Sequence, residues 1–198
     1  MASKSKAMLP NQRFSVEELQ EELKREQRKR QYSSTTRNTI FVLIVVAAIA
    51  ILVATLWMPV LRIYGTSMTP TLTEGDLVLS LRGADFETGD VIGFYYENKL
   101  LVKRCIAGPG DWVDIDSEGN VYVNGEVLEE PYIEEKAYGD VTIQFPYQVP
   151  EGRYFVLGDH RATSADSRLT IIGCVAEEQI VGKIVFRVLP IKNFERIE

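Results

Sequence analysis

"IFVLIVVAAIAILVATLW", Ile40 to Trp57, is the stretch on which the architecture turns. It carries no charge, and it lies inside a run of 24 uncharged residues from Asn38 to Leu61. As a helix rising about 1.5 Å per residue, these 18 residues would span roughly 27 Å. The hydrocarbon core of a bilayer is about 30 Å thick. Trp57 closes the run where an interfacial aromatic belongs. A buried core helix seldom runs so long without interruption. A cleaved signal peptide fits poorly, because the preceding segment is long, contains five glutamates and leads into a run longer than an ordinary apolar region. Residues 38–61 therefore read as an uncleaved transmembrane anchor.

The charges on either side orient it. Residues 1–39 hold 9 Lys/Arg against 5 Asp/Glu, and the remaining 159 hold 13 against 23. "LKREQRKR" (Leu23 to Arg30) and Arg37 precede the anchor, while Arg62 is the one base close behind it. The positive-inside rule then places residues 1–37 in the cytoplasm and 62–198 outside the cell membrane. A basic head on an acidic body does not suit nucleic acid as the main partner. Two cysteines, Cys105 and Cys174, are too few for a disulfide-stapled fold and have no zinc spacing. With a single histidine, His160, neither a metal nor a cofactor is expected. Whether the cysteines pair is left open; both fall outside, where disulfides persist.

The head, 1–37, divides in two. Residues 1–12 read as disordered. "SVEELQEELKREQRKR" opens with Ser15 and Glu18 in capping-box spacing. Val16, Leu19 and Leu23 form a thin apolar stripe, so a short, solvated amphipathic helix is expected. Its basic end could also touch anionic lipid.

Beyond the anchor the texture changes. "DLVLSL", "DVIGFYY", "LLVKRCIA", "WVDI", "VYVNGEVL", "YFVLGD" and "IVGKIVFRVL" are short, β-branched or aromatic, and bounded by turn residues. "SEGN" at Ser117 and "NG" at Asn124 read as hairpin turns. No segment after Trp57 keeps a helical period. The expectation for 62–198 is a mainly β, antiparallel domain, with 129–150 as a small peripheral insertion.

Three segments carry chemistry. In "GTSMTPTL", Gly65 to Leu72, a serine stands without an acid or base of its own. A serine nucleophile needs a base within hydrogen-bond reach. "LLVKRCIAGPGD" offers Lys103. A free lysine at pH 7 is neutral in only about 1 molecule in 2500, and burial raises that share. Strand alternation puts Lys103 with Leu101 and Cys105, and turns Arg104 away with Val102 and Ile106. Taken alone, a strand lysine is usually a solvated edge charge. "GDHRATSADSR", Gly158 to Arg168, is a polar loop of the kind that carries function.

An anchor, then "GTSMTPTL", then "VKR" 36 residues on, then "GDHRATSADSR" resembles the bacterial type I signal peptidase family. The resemblance covers the anchor and nearly all of 59–190. It implies a Ser/Lys endopeptidase that cleaves signal peptides from exported precursors. Ser67 would be the nucleophile, Lys103 the general base, and Ser164 the residue that hydrogen-bonds and orients the lysine amine. Asp166 and Arg168 would form a structural ion pair, with Asp159 and Arg161 bracing the start of the loop. Leu61, Ile63, Met68, Leu72 and Val102 would wall a pocket for small residues at the first and third positions before the cut. The implied partners are signal-peptide-bearing precursors, the bilayer and, as a candidate, the export machinery. Two positions depart from the family. Gly65 stands where some members have a serine that helps hold the oxyanion, leaving that task to backbone N–H groups of Ser67 and Thr66. His160 stands where asparagine is usual. Two rival readings are a dedicated Ser/Lys processing peptidase and a non-catalytic anchored β domain.

Overall fold

Val16–Trp57 forms one continuous helix, α1, of 42 residues in the computed structural model, which describes residues 16–197. The expected amphipathic segment and the anchor are thus a single helix and not two. Nothing between them breaks it: no proline or glycine falls between Val16 and Trp57. The expected disorder of 1–12 and the Ser15 cap lie outside the described residues. Thr35–Trp57 is long and apolar enough to cross a membrane, and none of its most apolar window is buried within the protein. A helix apolar all round is buried either in the core of a large protein or in a membrane, and this one is a candidate span.

The helix stops earlier than the anchor bounds of 38–61 anticipate. Pro59 disfavours helical geometry at Met58. Leu61 belongs instead to the first strand, so Ser67 lies ten residues past the helix end at Trp57.

Beyond α1 the regular structure of the described residues is antiparallel strands with two short 3-10 turns, Glu177–Gln179 and Ile191–Asn193. Its strands are β1 (Val60–Arg62), β2 (Leu77–Leu81), β3 (Val91–Tyr96), β4 (Lys99–Ala107), β5 (Trp112–Ile115), β6 (Val121–Val123), β7 (Glu126–Val127), β8 (Tyr147–Gln148), β9 (Arg153–Leu157), β10 (Val175–Ala176), β11 (Ile180–Leu189) and β12 (Glu195–Arg196). The larger sheet runs β1-β2-β11-β3-β4-β9-β10, with β12 added on β11. The smaller runs β7-β6-β5-β8. Its β6–β7 turn has Asn124 at φ 53 and Gly125 at φ 85. Two residues with positive φ suit a two-residue hairpin, and Asn-Gly tolerates them.

The inserted unit is larger than 129–150. It begins with the hairpin at Trp112, and β8 returns to pair with β5, Val113 opposite Tyr147. Residues 129–146 are not peripheral either, since Glu130 and the Tyr138 carbonyl bond to arginines of the 158–168 loop. An acidic, Pro/Tyr-rich run resembles a surface loop because its partners lie far along the chain.

Alternation along β4 sorts the core. Leu101 and Cys105 join a cluster with Ile92, Phe94, Val156 and Val175. Val102 packs with Leu61, Ile63, Met68, Leu72, Val78, Val91 and Ile184. Ile106 joins a third cluster with Phe155, Leu157 and the small sheet's Val113, Ile115 and Val121. Cys105 and Cys174 are both buried and both free thiols. Burial pushes the Cys105 thiol up to about 12 and that of Cys174 to about 11.

Candidate active site

Lys103 lies in the middle of β4, paired across the ladder with Ile92 of β3. It is only 4% exposed. Its Nζ reaches Ser67 Oγ at 2.5 Å. Burial lowers its pKa from 10.5 to about 8, against the pull of Asp166 and Asp159 and with a further push from Arg168. At pH 7 about one amine in ten is then neutral.

Ser67 is held from its backbone. Leu72 N–H donates to the Met68 carbonyl at 2.8 Å, and Thr69 N–H donates to that of Thr66 at 3.1 Å, which winds "TSMTPTL" into a tight turn. His160 N–H then donates to the Ser67 carbonyl at 3.0 Å. The Ser67 N–H itself donates no hydrogen bond among the described residues. The His160 ring bonds Thr163 Oγ1 through Nδ1, at 2.8 Å. Its contribution next to Ser67 is therefore its peptide N–H, while its imidazole bonds within its own loop.

Ser164 differs from expectation. Its buried Oγ has no hydrogen-bond partner among the described residues, and the amine of Lys103 bonds Ser67 instead. Gly158 packs tightly there: a Cβ at that position would overlap Ser164 Oγ and the Ser67 carbonyl oxygen. Only glycine lets the loop approach the serine turn so closely.

Arg104, the next residue, is fully buried on the opposite side of the strand. Its Nε and Nη2 clamp Asp159 at 3.0 and 2.8 Å, and its Nη1 donates to the Gly89 carbonyl at 2.5 Å. Thr71 Oγ1 donates to the same Asp159 carboxylate at 2.5 Å. Asp159 thus joins all three motif segments. The Tyr132 ring lies over the guanidinium, 3.7 Å from its carbon.

Two further arginine–carboxylate pairs stiffen the loop. Arg168 clamps Asp166 through Nε and Nη2, both at 2.9 Å, and Asp166 also accepts the Gly158 N–H at 3.1 Å. Arg168 donates besides to the carbonyls of Arg161 and Tyr138, at 2.8 and 2.7 Å. Asp159 and Arg161 do brace the loop, but each through a partner elsewhere. Asp159 takes Arg104, whereas Arg161 clamps Glu130 and donates to the Gly158 carbonyl at 3.1 Å. Fixed ion pairs of this kind hold backbone N–H and C=O groups in place as much as they stabilise.

Of the expected pocket residues, Ile63, Met68 and Val102 line a cavity of about 40 Å³ with Tyr64, Gly65, Leu100 and Leu101, directly beside Ser67 and Lys103. Leu61 and Leu72 do not line it. They pack behind it in the same cluster, Leu72 with no exposure at all. Thr71, Glu130 and Tyr132 were not legible as site residues. Glu130 meets Arg161 across 31 positions of chain, and no spacing marks that pairing.

A family model described as signal peptidase, peptidase S26 matches residues 36–189. The chain is 37% identical to signal peptidase IB of Staphylococcus aureus over 153 residues, 67% of this chain and 78% of that protein. It is 33% identical to signal peptidase I of Bacillus licheniformis over 183 residues, 84% of this chain and 97% of that one. Among solved structures, a signal peptidase I from Enterococcus faecalis is similar at 29% identity, with a TM-score of 0.43 over 50% of this chain and 97% of that chain. A family match running from inside α1 to the end of β11, joined to these identities, makes the chain a member of the signal peptidase family, peptidase S26.

Proposed function

We propose that the chain is a membrane-anchored serine endopeptidase that removes signal peptides from exported precursors, with Ser67 as nucleophile and Lys103 as its general base. The observation that carries this reading is the 2.5 Å contact between Ser67 Oγ and an amine that is 4% exposed.

The chemistry follows from that pair. A neutral Lys103 amine accepts the Ser67 hydroxyl proton as Oγ attacks the scissile carbonyl. The charge that develops on the carbonyl oxygen meets the uncommitted Ser67 N–H, since Gly65 has no side chain to offer. The resulting ammonium returns its proton to the leaving amine, and the acyl group stays on Ser67. Water then enters and attacks the acyl carbon as Lys103 takes its proton, and the ammonium passes that proton to the departing Ser67 Oγ, which frees the acid product, the serine and a neutral amine. Each step moves one proton through one nitrogen, so the amine must be neutral at the start.

Small residues fit beside the dyad because the cavity, walled in part by Ile63, Met68 and Val102, is tight, and its charged lining, Arg62 and Lys103, is cationic. A cationic side chain there would lose its water without gaining a partner. The anchor, with 62–198 outside, brings enzyme and precursor together in two dimensions rather than three, which raises effective concentration.

The test is cleavage of a precursor whose signal segment ends in Ala-x-Ala, by the full-length chain and by Ser67→Ala in detergent with lipid. Wild type cuts after the last alanine and Ser67→Ala does not. Cleavage by Ser67→Ala would refute the nucleophile. Binding without cleavage by wild type would favour the anchored binding domain instead.

A further inference from the structure

The segment Glu129–Tyr138 touches all three arginines of the site. Glu130 clamps Arg161, the Tyr132 ring covers Arg104, and the Tyr138 carbonyl receives Arg168. Tyr132 is itself tied to Glu130, its hydroxyl donating to the carboxylate at 3.1 Å.

The position of Tyr132 gives it a specific task. Arg104 and Tyr132 border a cleft of about 360 Å³, shared with Gly89, Asp90, Glu129, Lys183 and others. The guanidinium nevertheless has no accessible surface. One face of a guanidinium stacked at 3.7 Å is closed to water by the ring. Behind Arg104 stands Asp159, and Asp159 is one of three charged groups that act on Lys103, beside Asp166 and Arg168. Water admitted at Arg104 would loosen its grip on Asp159 and leave that carboxylate less neutralised beside the lysine. That change favours the ammonium.

We propose that Tyr132 is a positioning residue for the reaction: its ring seals the Arg104–Asp159 pair from the cleft and so keeps the Asp159 carboxylate clamped by arginine and its pull on the Lys103 amine small. The proposal rests on the Ser67–Lys103 reading above. Tyr132 is not the titrating group. Burial, with the charge of Glu130 beside it, pushes its phenol above the ordinary tyrosine value.

The experiment is kcat/KM against pH for the full-length chain in lipid-containing micelles, with wild type, Tyr132→Ala, Tyr132→Leu, Tyr132→Phe and Lys103→Ala. The midpoint of the acid limb in Tyr132→Ala should move up by about one pH unit, a tenfold change in the neutral fraction at pH 7. Tyr132→Phe keeps a ring over the guanidinium and should restore the wild-type midpoint. A merely structural role would lower activity at every pH and leave the midpoint in place, and that result would overturn the proposal. If Tyr132→Ala does not fold, Tyr132→Leu decides by the same criterion, its midpoint rising or staying put. Activity in Lys103→Ala would count against the dyad, whereas an inactive Lys103→Ala with unmoved Tyr132 midpoints would count against Tyr132 alone.

Discussion

Lys103 and Arg104 are neighbours on one strand, both buried, both cationic by nature, and they are treated in opposite ways. On one side of β4 Arg104 meets a carboxylate in a bidentate clamp, a carbonyl, a threonine hydroxyl and an aromatic face. On the other side the buried Lys103 amine has one hydrogen-bond partner, the Ser67 hydroxyl, and no salt bridge among the described residues. The difference teaches what each side is for. A guanidinium keeps its charge, so burial demands partners. A buried amine with few partners gives up its proton more readily instead. On the proposed function, the paired side is a strut and the other side supplies the base.

The largest effect should come from the unpaired side. Lys103→Ala should lower kcat by at least about 10²–10⁴-fold, measured on a peptide substrate. Lys103→Arg should be no better, because guanidinium does not surrender its proton. Turnover by the arginine variant would erase the contrast.

Stability should respond with opposite signs on the two sides. Arg104→Met leaves Asp159 buried without its partner, and loss of one member of a buried pair costs about 3–5 kcal/mol. Lys103→Met should instead stabilise the fold at pH 7 by about 3 kcal/mol, the free energy of a shift from 10.5 to about 8. Between those pH values the unfolded chain holds the extra proton, so wild-type stability should rise as pH goes from 8 to 10.5. The gap to Lys103→Met should close over the same window. Urea unfolding at several pH values measures both. A lysine variant that is destabilised at pH 7 would mean that the amine is held by contacts rather than strained by burial.

Specificity sharpens the contrast further. Lysine in place of alanine just before the cut should reduce kcat/KM by 10²-fold or more, on the order of the 3 kcal/mol for an unpaired polar group. Equal cleavage of the two would mean that the cavity beside the dyad does not select against a charged side chain.

The smallest effect should be at His160. Its imidazole bonds Thr163, and its N–H holds the Ser67 carbonyl whatever side chain it bears. His160→Asn should therefore keep at least about a tenth of wild-type activity, well short of the loss expected for a general base. A larger loss, with Lys103→Ala still active, would move the base from lysine to histidine.

Much of this was legible in the sequence, for physical reasons that differ by element. The apolar run from Ile40 to Trp57 declares itself, because 18 uncharged residues in a row have few stable homes in water. Short β-branched runs between turn residues gave the strands, and alternation along "LLVKRCIA" correctly separated Lys103 from Arg104. Junctions and long-range pairs were less visible. The continuity of α1 through Arg30–Arg37 depends on helix propagation rather than on amphipathic period. The true start of the insertion at Trp112 depends on the return of β8, thirty-odd positions later. Asp166 and Arg168, two residues apart, were expected to pair and do, but which carboxylates meet the other two arginines was beyond reach, since Asp159 is 55 residues from Arg104 and Glu130 is 31 from Arg161. Ser164 lies next to the site, yet which oxygen the amine would meet is a matter of ångströms.

The central claim is that burial, with only a hydroxyl for a partner, holds the Lys103 amine well below the ordinary lysine value, so that a usable fraction is neutral near physiological pH. Its most direct test is the titration of the Lys103 Nζ by ¹⁵N NMR in the full-length chain in micelles, the resonance assigned by its loss in Lys103→Met. The account predicts a midpoint at about 8. A midpoint near the ordinary lysine value of 10.5 would contradict it.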